Sequence, residues 1–322
     1  MDVRRIIELA RWAPSVHNTQ PWWWRAVGTT LELWADRDRA LPVSDPTGRN
    51  LVISCGCALH YTVAAAQGLG SATDVELLPD GAGSDLMARI RLSPSPATPD
   101  AVAQLPLLQQ RHTDRRRFTS WPVPEENLEH LAETGRKWGA AMLSVTEKEL
   151  RAEIEELLEE ARRRQQGDPR IADETESWID HGATDGLPTE SLPSEHGVRG
   201  ERPSRFGSGL LPDSVEQILH GTDGLLVIST EDDSPWSWLR TGSALSALWL
   251  RATANGLSVV PLSQLPEVQR TRSALETLLL RPARVPQLVV RVGWQEIGRD
   301  ELPRTPRRPV DDLLDDQMSR PA

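Results

Sequence analysis

The sequence predicts an α+β fold built from two fused lobes, and three observations predict it. Two long stretches of small and apolar residues, Asn50–Gly70 and Leu239–Gly256, both read as buried helices closed by glycine. Each is preceded and followed by short strand signals, which makes a weak internal repeat. The 322 residues are also enough for two ordinary domains or one large one with a real core. A repeat of this kind in one chain implies an internal pseudo-dimer. Its two helices form the central pair, and mainly antiparallel sheets flank them.

Val3, Ile6, Ile7, Leu9 and Ala10 fall on one helical face, and Pro14 ends that helix. Ala13 to Trp22 is a polar turn segment between two prolines. Trp22 to Trp34 reads as strand–turn–strand, with Leu31, Leu33 and Ala35 alternating against Glu32, Trp34 and Asp36. Val75–Leu78 and Met87–Leu92 are further strands, and Ser93–Ala101 reads as a Pro/Ser/Thr loop. A helix opens at Glu125, and Glu147–Gln166 is a charged helix with little apolar surface. Gly167–Gly209 is rich in Gly, Pro, Ser and Asp and too long for an ordinary connection, as lids and disordered segments are. Gly224–Thr230 and Val285–Val292 are the last strands, before a basic tail carrying Arg304, Arg307 and Arg308.

Composition excludes some functions. With 36 basic and 47 acidic residues the net charge is -11, which disfavours nonspecific binding to nucleic acid or an anionic membrane. No run is expected to reach the roughly 20 apolar residues of a membrane span. The start, from Met1 to Trp12, lacks the apolar middle of a signal peptide, so a cytoplasmic protein is expected. Cys55 and Cys57 are the only two cysteines; they are too few for a structural zinc site and read as buried, inert thiols. No metal is expected.

Three segments can carry chemistry. Arg111, His112, Thr113, Arg115, Arg116 and Arg117 crowd together in an otherwise acidic chain. Arginine forks and a threonine hydroxyl suit phosphate oxygens, although a solvated loop ion-paired with carboxylates has the same composition. Ser15, His17, Asn18, Thr19 and Gln20 can read the edge of a heterocycle or cap backbone groups in a turn. Gly256 to Gln264 can bring backbone close to a planar ligand or simply join a helix to a strand.

Together these segments resemble a family. Ala13-Pro14-Ser15, Asn18 and Gln20-Pro21-Trp22 resemble the A-P-S-x-x-N-x-Q-P-W segment of flavin-dependent nitroreductases. Arg111-His112-Thr113-Asp114-Arg115 resembles their R-R-S-x-R phosphate segment, and Gly256-Leu257 through Gln264 their G-L-x-x-x-P stretch. The A-P-S segment here precedes the arginine segment, an order that resembles the Acg subfamily, a fused two-lobed version of the homodimer.

The resemblance implies a nitroreductase-like fold and one FMN per chain. Arg111 and Thr113, with Arg304 or Arg307, hold the phosphate in that scheme. Arg115 lies near the flavin pyrimidine, and Asn18 contacts its edge. Pro14, Ser15 and Val16 line the ring, and His17, Thr19 and Gln20 complete that segment. Pro261, Leu262 and Ser263 face the ring, with Ser263-Gln264 where many family members have Glu-Gly. The implied reaction is hydride transfer from NAD(P)H to FMN and on to a small acceptor, a nitroaromatic or quinone, with no catalytic side chain; His17, His112 and His220 are given no proton-transfer role. No G-x-G-x-x-G fingerprint is present. The implied lobes are residues 1–105, supplying the A-P-S segment, and 106–322, supplying the phosphate site, with 147–209 as a lid-like insertion. Such a lid suggests the alternative of a protein that stores or sequesters FMN. Trp178, Asp180, His181 and Asp185 of that insertion are expected to be solvated. The chain is expected as a monomer or a homodimer.

Overall fold

The apolar face of the first helix, α1 (Val3–Ala10), is buried at Ile6, Ile7, Leu9 and Ala10, and the Asp2 carboxylate caps it by accepting from Arg5 N at 2.9 Å. β1 (Trp22–Val27) and β2 (Thr30–Ala35) form the expected antiparallel hairpin, turning at Gly28 with φ 57°. The next helix, α2 (Arg49–Gly68), is buried on every face except at Gln67, as a helix apolar all round must be. β3 (Ser71–Leu77) and β4 (Leu86–Pro94) complete the first antiparallel set.

The expected loop at Ser93–Ala101 is shorter than the sequence suggested. Thr98 Oγ1 accepts from Ala101 N at 3.2 Å, Pro99 takes the first helical position, and α3 (Pro99–Gln110) follows. α4 (Glu125–Arg136), β5 (Ala141–Ser144), α5 (Lys148–Gln166) and α6 (Pro169–Ser177) come next. β6 (Gly224–Thr230), α7 (Pro235–Ala254), β7 (Leu257–Leu262), α8 (Gln264–Glu267), α9 (Gln269–Leu279) and β8 (Val285–Trp294) lead to α10 (Val310–Leu313) and β9 (Leu314–Asp316). This computed structural model describes residues 2–192, 223–279, 284–296, 298 and 302–316. His220 and the part of the expected insertion beyond residue 192 lie outside the described residues.

The repeat is explicit in the topology. Setting α5–α6 and α8–α9 aside as insertions, α1-β1-β2-α2-β3-β4 recurs as α4-β5-β6-α7-β7-β8. The sheet orders agree: β3-β4-β2-β1 in one and β7-β8-β6-β5 in the other. These pairings are antiparallel, and the tail adds β9 parallel to β1.

The two central helices cross at their glycines. A Cβ on Gly242 would sit 1.8 Å from the Ile53 carbonyl oxygen, and one on Gly56 2.2 Å from that of Leu239. The close approach lets Ser243 Oγ donate to Gly56 O at 2.9 Å and Cys57 Sγ to Gly242 O at 3.2 Å. One expectation is corrected here: α2 is long and apolar enough to cross a membrane, with a mean hydropathy of 1.2 over its best window. However, 94% of that window is buried inside the fold, which makes it a core helix packed on α7.

Asp45, just before α2, accepts from Leu51 N at 2.9 Å. Burial raises its carboxyl from 3.8 to about 6, more than the Leu51 and Asn50 amides and Arg49 pull it down. Its folded value therefore lies above the unfolded one. The stability it contributes is complete below about pH 4 and is lost as pH rises through about 6, by up to about 3 kcal/mol. Asp45→Asn is expected to raise the Tm at pH 8 relative to the parent and to give no gain at pH 4. An equal effect at both pH values would contradict the assignment.

Candidate functional site

Between α1 and β1 the chain makes a tight turn. His17, Asn18 and Gln20 have φ of 47°, 54° and 49°, three non-glycine residues in the left-handed region within four positions. Each costs of order 1–3 kcal/mol and persists only where surroundings over-determine it. Here they do. Gln20 N donates to Ser15 Oγ at 2.9 Å, and Val16 N to Ser54 Oγ on α2 at 3.2 Å. The Gln20 side chain donates to Thr184 O and accepts from Arg308 N, both at 2.9 Å. Asn18 Nδ2 donates to Gly186 O at 2.9 Å and Pro306 O at 3.0 Å, while its Oδ1 accepts from Arg307 Nη1 at 2.9 Å. The turn is thus clamped by α2, by the segment after α6 and by the C-terminal tail.

A cleft opens beside it. Pro14 to His17 form one wall; Asn50, Ile53, Ser54 and Cys57 of α2 form the next. Thr113 and Arg115, Leu245 and Trp249 of α7, Val260 to Gln264 at the end of β7, and Leu288 of β8 complete it. The cleft therefore draws together Pro14, Ser15, Val16, His17, Thr113, Arg115, Pro261, Leu262 and Ser263 from the three segments read in the sequence. Asn18, Thr19, Gln20, Arg111, Arg304 and Arg307 do not line it.

For Asn18 and Gln20 the reason is visible, because their amides are spent on the clamp and not presented to the cleft. Thr19 is buried, and its carbonyl accepts from Arg39. Arg304 is exposed. Arg116 is ion-paired with Asp114 at 2.7 Å, as a loop reading of the arginine cluster requires. Trp178 and Asp185, expected to be solvated, are buried; Asp185 pairs with Arg39 and, at 2.9 Å, with His181. Asp180 and His181 are exposed.

Arg111 lies behind the cleft wall, with Arg307 close enough to repel it. Arg111 is buried, donates through Nε to Tyr61 Oη at 2.9 Å and stacks over Trp249, which also lines the cleft, at 4.5 Å. Arg307 lies 5.3 Å over the Trp12 ring. Burial lowers its pKa to about 9, with repulsion from Arg111 and Arg11 adding to the shift and Tyr61 opposing it. Arg111 Nη1 and Arg307 Nε are buried and make no hydrogen bond among the described residues. Among the described residues neither they nor Arg11 form an ion pair with a carboxylate. Several desolvated cations without a counter-charge make a site for an anion.

A family model described as "Nitroreductase family" matches residues 108–294. The chain belongs to the nitroreductase family. Two Mycobacterium tuberculosis (strain H37Rv) proteins provisionally named NAD(P)H nitroreductase are similar over nearly the whole chain. Rv3131 is 33% identical over 97% of this chain and 91% of its own length, and acg is 30% identical over 97% and 95%. Among solved structures, a nitroreductase with bound FMN from Desulfitobacterium hafniense covers 65% of this chain and 95% of its own, at 14% identity and a TM-score of 0.41.

In this nitroreductase-family chain the match begins in the last turn of α3 and ends at the end of β8, so the clamped turn and α2 lie outside it. Sequence reading missed Tyr61, Trp249 and Arg11. Tyr61 is the only tyrosine of the chain, a signal of sorts, but which face of α2 it occupies is set by α7 and α3.

Cys57 lines the cleft, yet burial pushes its thiol up to about 12, and that of Cys55 higher still. Neither thiol is expected to react with iodoacetamide in the folded protein at pH 7.5, and both should react in urea. Rapid alkylation without denaturant would show that α2 opens.

Proposed function

We propose that the chain binds one FMN and passes electrons from NADH or NADPH to a small oxidised acceptor, a nitroaromatic or a quinone. The observation that carries this reading is the pair of cations without a carboxylate partner among the described residues, buried Arg111 and half-buried Arg307, with Arg111 stacked on Trp249 of the cleft wall. The fit to FMN is good on both counts. A phosphate monoester supplies the missing counter-charge and accepts from Arg111 Nη1 and Arg307 Nε, which have no partner among the described residues. The apolar lining from Ile53, Leu245, Trp249, Val260, Leu262 and Leu288 suits a flat aromatic ring.

When bound, the flavin supplies the hydride chemistry, so the protein needs no acid–base residue. Arg111, Thr113 and Arg307 hold the phosphate, and Arg304 is not needed. Arg115, on the cleft wall, supplies positive charge that favours electron gain by a ring lying there. Pro14 to His17 and Pro261 to Ser263 set its plane. Asn18 acts at one remove, bracing Arg307. The site joins residues of a first lobe, 1–105, to those of a second, 106–322. A second site is disfavoured because at the repeat's counterpart Trp138 packs on His60 at 4.8 Å and Gly139 lies against Arg240. We also propose a cytoplasmic protein that acts on small molecules and on neither nucleic acid nor membranes.

One observation favours a second reading, FMN held without turnover. Thr184, Asp185 and Gly186, within the inserted region, are tied to Gln20, Arg39 and Asn18 beside the cleft. A purified protein with flavin absorbance and about one FMN per chain supports both readings, and colourless protein that takes up no FMN overturns both. Anaerobic NADPH separates them: bleaching means a reducible site, and persistent colour means storage.

A further inference from the structure

Tyr61 lies in the middle of α2 with no exposed surface, and its phenol oxygen accepts from Arg111 Nε at 2.9 Å. Its own hydroxyl proton has no acceptor among the described residues. A buried hydroxyl that accepts without donating leaves half its capacity unused, at a cost comparable to a lost hydrogen bond. Burial raises the phenol's pKa despite the opposing charges of Arg111 and Arg307, so the group stays protonated and remains a donor. Arg307 is close enough to alter the charge balance of both Tyr61 and Arg111.

Three buried donors therefore lack acceptors in one place: the Tyr61 hydroxyl, Arg111 Nη1 and Arg307 Nε. No carboxylate pairs with either guanidinium among the described residues. The donor set is selective in kind. Two guanidinium charges balance a phosphate dianion, and the neutral hydroxyl serves an oxygen without adding repulsion between cations. The Tyr61–Arg111 bond and the stacking of Arg111 on Trp249 at 4.5 Å also fix the guanidinium, leaving Nη1 available.

We propose that Tyr61 is a fourth ligand of the FMN phosphate, beside Arg111, Thr113 and Arg307, donating its hydroxyl hydrogen bond to a phosphate oxygen while its oxygen orients Arg111. This rests on the FMN-binding reading and deepens it. It makes the phosphate the group that the core helix of the first lobe recognises.

The test is Tyr61→Phe, titrated with FMN and with riboflavin, which shares the ring and lacks the phosphate. The Kd for FMN is expected to rise about tenfold or more, as for loss of a charge-assisted hydrogen bond, while that for riboflavin stays within about twofold. An equal loss for both ligands would mean a packing role and overturn the proposal, as would no loss for either. A parent protein that binds FMN alongside an unaffected variant removes only the role of Tyr61. A parent that binds no FMN removes the FMN reading and this proposal with it. Should the variant not fold, the parent itself decides. Tyr61 is the only tyrosine, so incorporated 3-fluorotyrosine reports one site by fluorine NMR. Its resonance is expected to move on adding FMN and inorganic phosphate and to stay on adding riboflavin; a resonance indifferent to phosphate overturns the proposal.

Discussion

Arg111→Ala is expected to raise the Kd for FMN at least about a hundredfold while leaving the ligand-free protein as stable as its parent, or more so. Truncating one partner of a buried charged contact costs roughly 2–5 kcal/mol of binding, which is where the hundredfold comes from. The stability half of the expectation is the more diagnostic. In the ligand-free chain Arg111 is a buried cation with one unused donor among the described residues, near Arg307, whose charge opposes its own. Removing it relieves that repulsion and gives up one bond to Tyr61 and one face of Trp249. A residue kept for the fold would show the reverse pattern, a lower melting temperature with flavin affinity intact. Flavin titration and thermal melts of the same preparation decide between them, and unchanged FMN affinity would remove the phosphate assignment.

Gly242→Ala is expected to cost more than about 3 kcal/mol and to leave little folded protein at physiological temperature. Glycine to alanine inside a helix ordinarily stabilises by up to about 1 kcal/mol, so the sign itself is informative. The added Cβ would meet the Ile53 oxygen at 1.8 Å, the Ile53 carbonyl carbon at 2.8 Å and Cys57 N at 2.9 Å, all backbone of α2. No side chain can swing aside, so α2 and α7 must separate along the seam between the two repeats. Gly83→Ala, with nothing within 4 Å of its new carbon, is the control and should stay within about 0.5 kcal/mol. Urea unfolding of both variants tests this, and a midpoint for Gly242→Ala equal to the parent's would contradict the close crossing.

Much of the scaffold was legible because it depends on local pattern. The alternation from Leu31 to Ala35, the apolar face of α1 and the glycine-closed runs of α2 and α7 each encode an element within a few residues. α3 was equally encoded by Thr98-Pro99, but the proline-rich stretch before it drew the reading toward a loop. β9 was hidden for a different reason: a three-residue strand at Leu314–Asp316 exists only because β1 offers it an edge.

The candidate site divides in the same way. The sequence by itself determined which segments carry donors: the A-P-S turn, the Arg111–Arg117 run, the end of β7 and the basic tail. It also set the two-helix repeat that brings them together. Only the tertiary structure decided which members of each segment face the cleft. It turned Asn18 and Gln20 into the clamp of a strained turn, left Arg304 in solvent and drew Arg307 inward. It also set Tyr61 and Trp249 against Arg111. The physical reason is that residue type fixes what a side chain can donate or accept, whereas its partner and its burial depend on backbone hundreds of residues away.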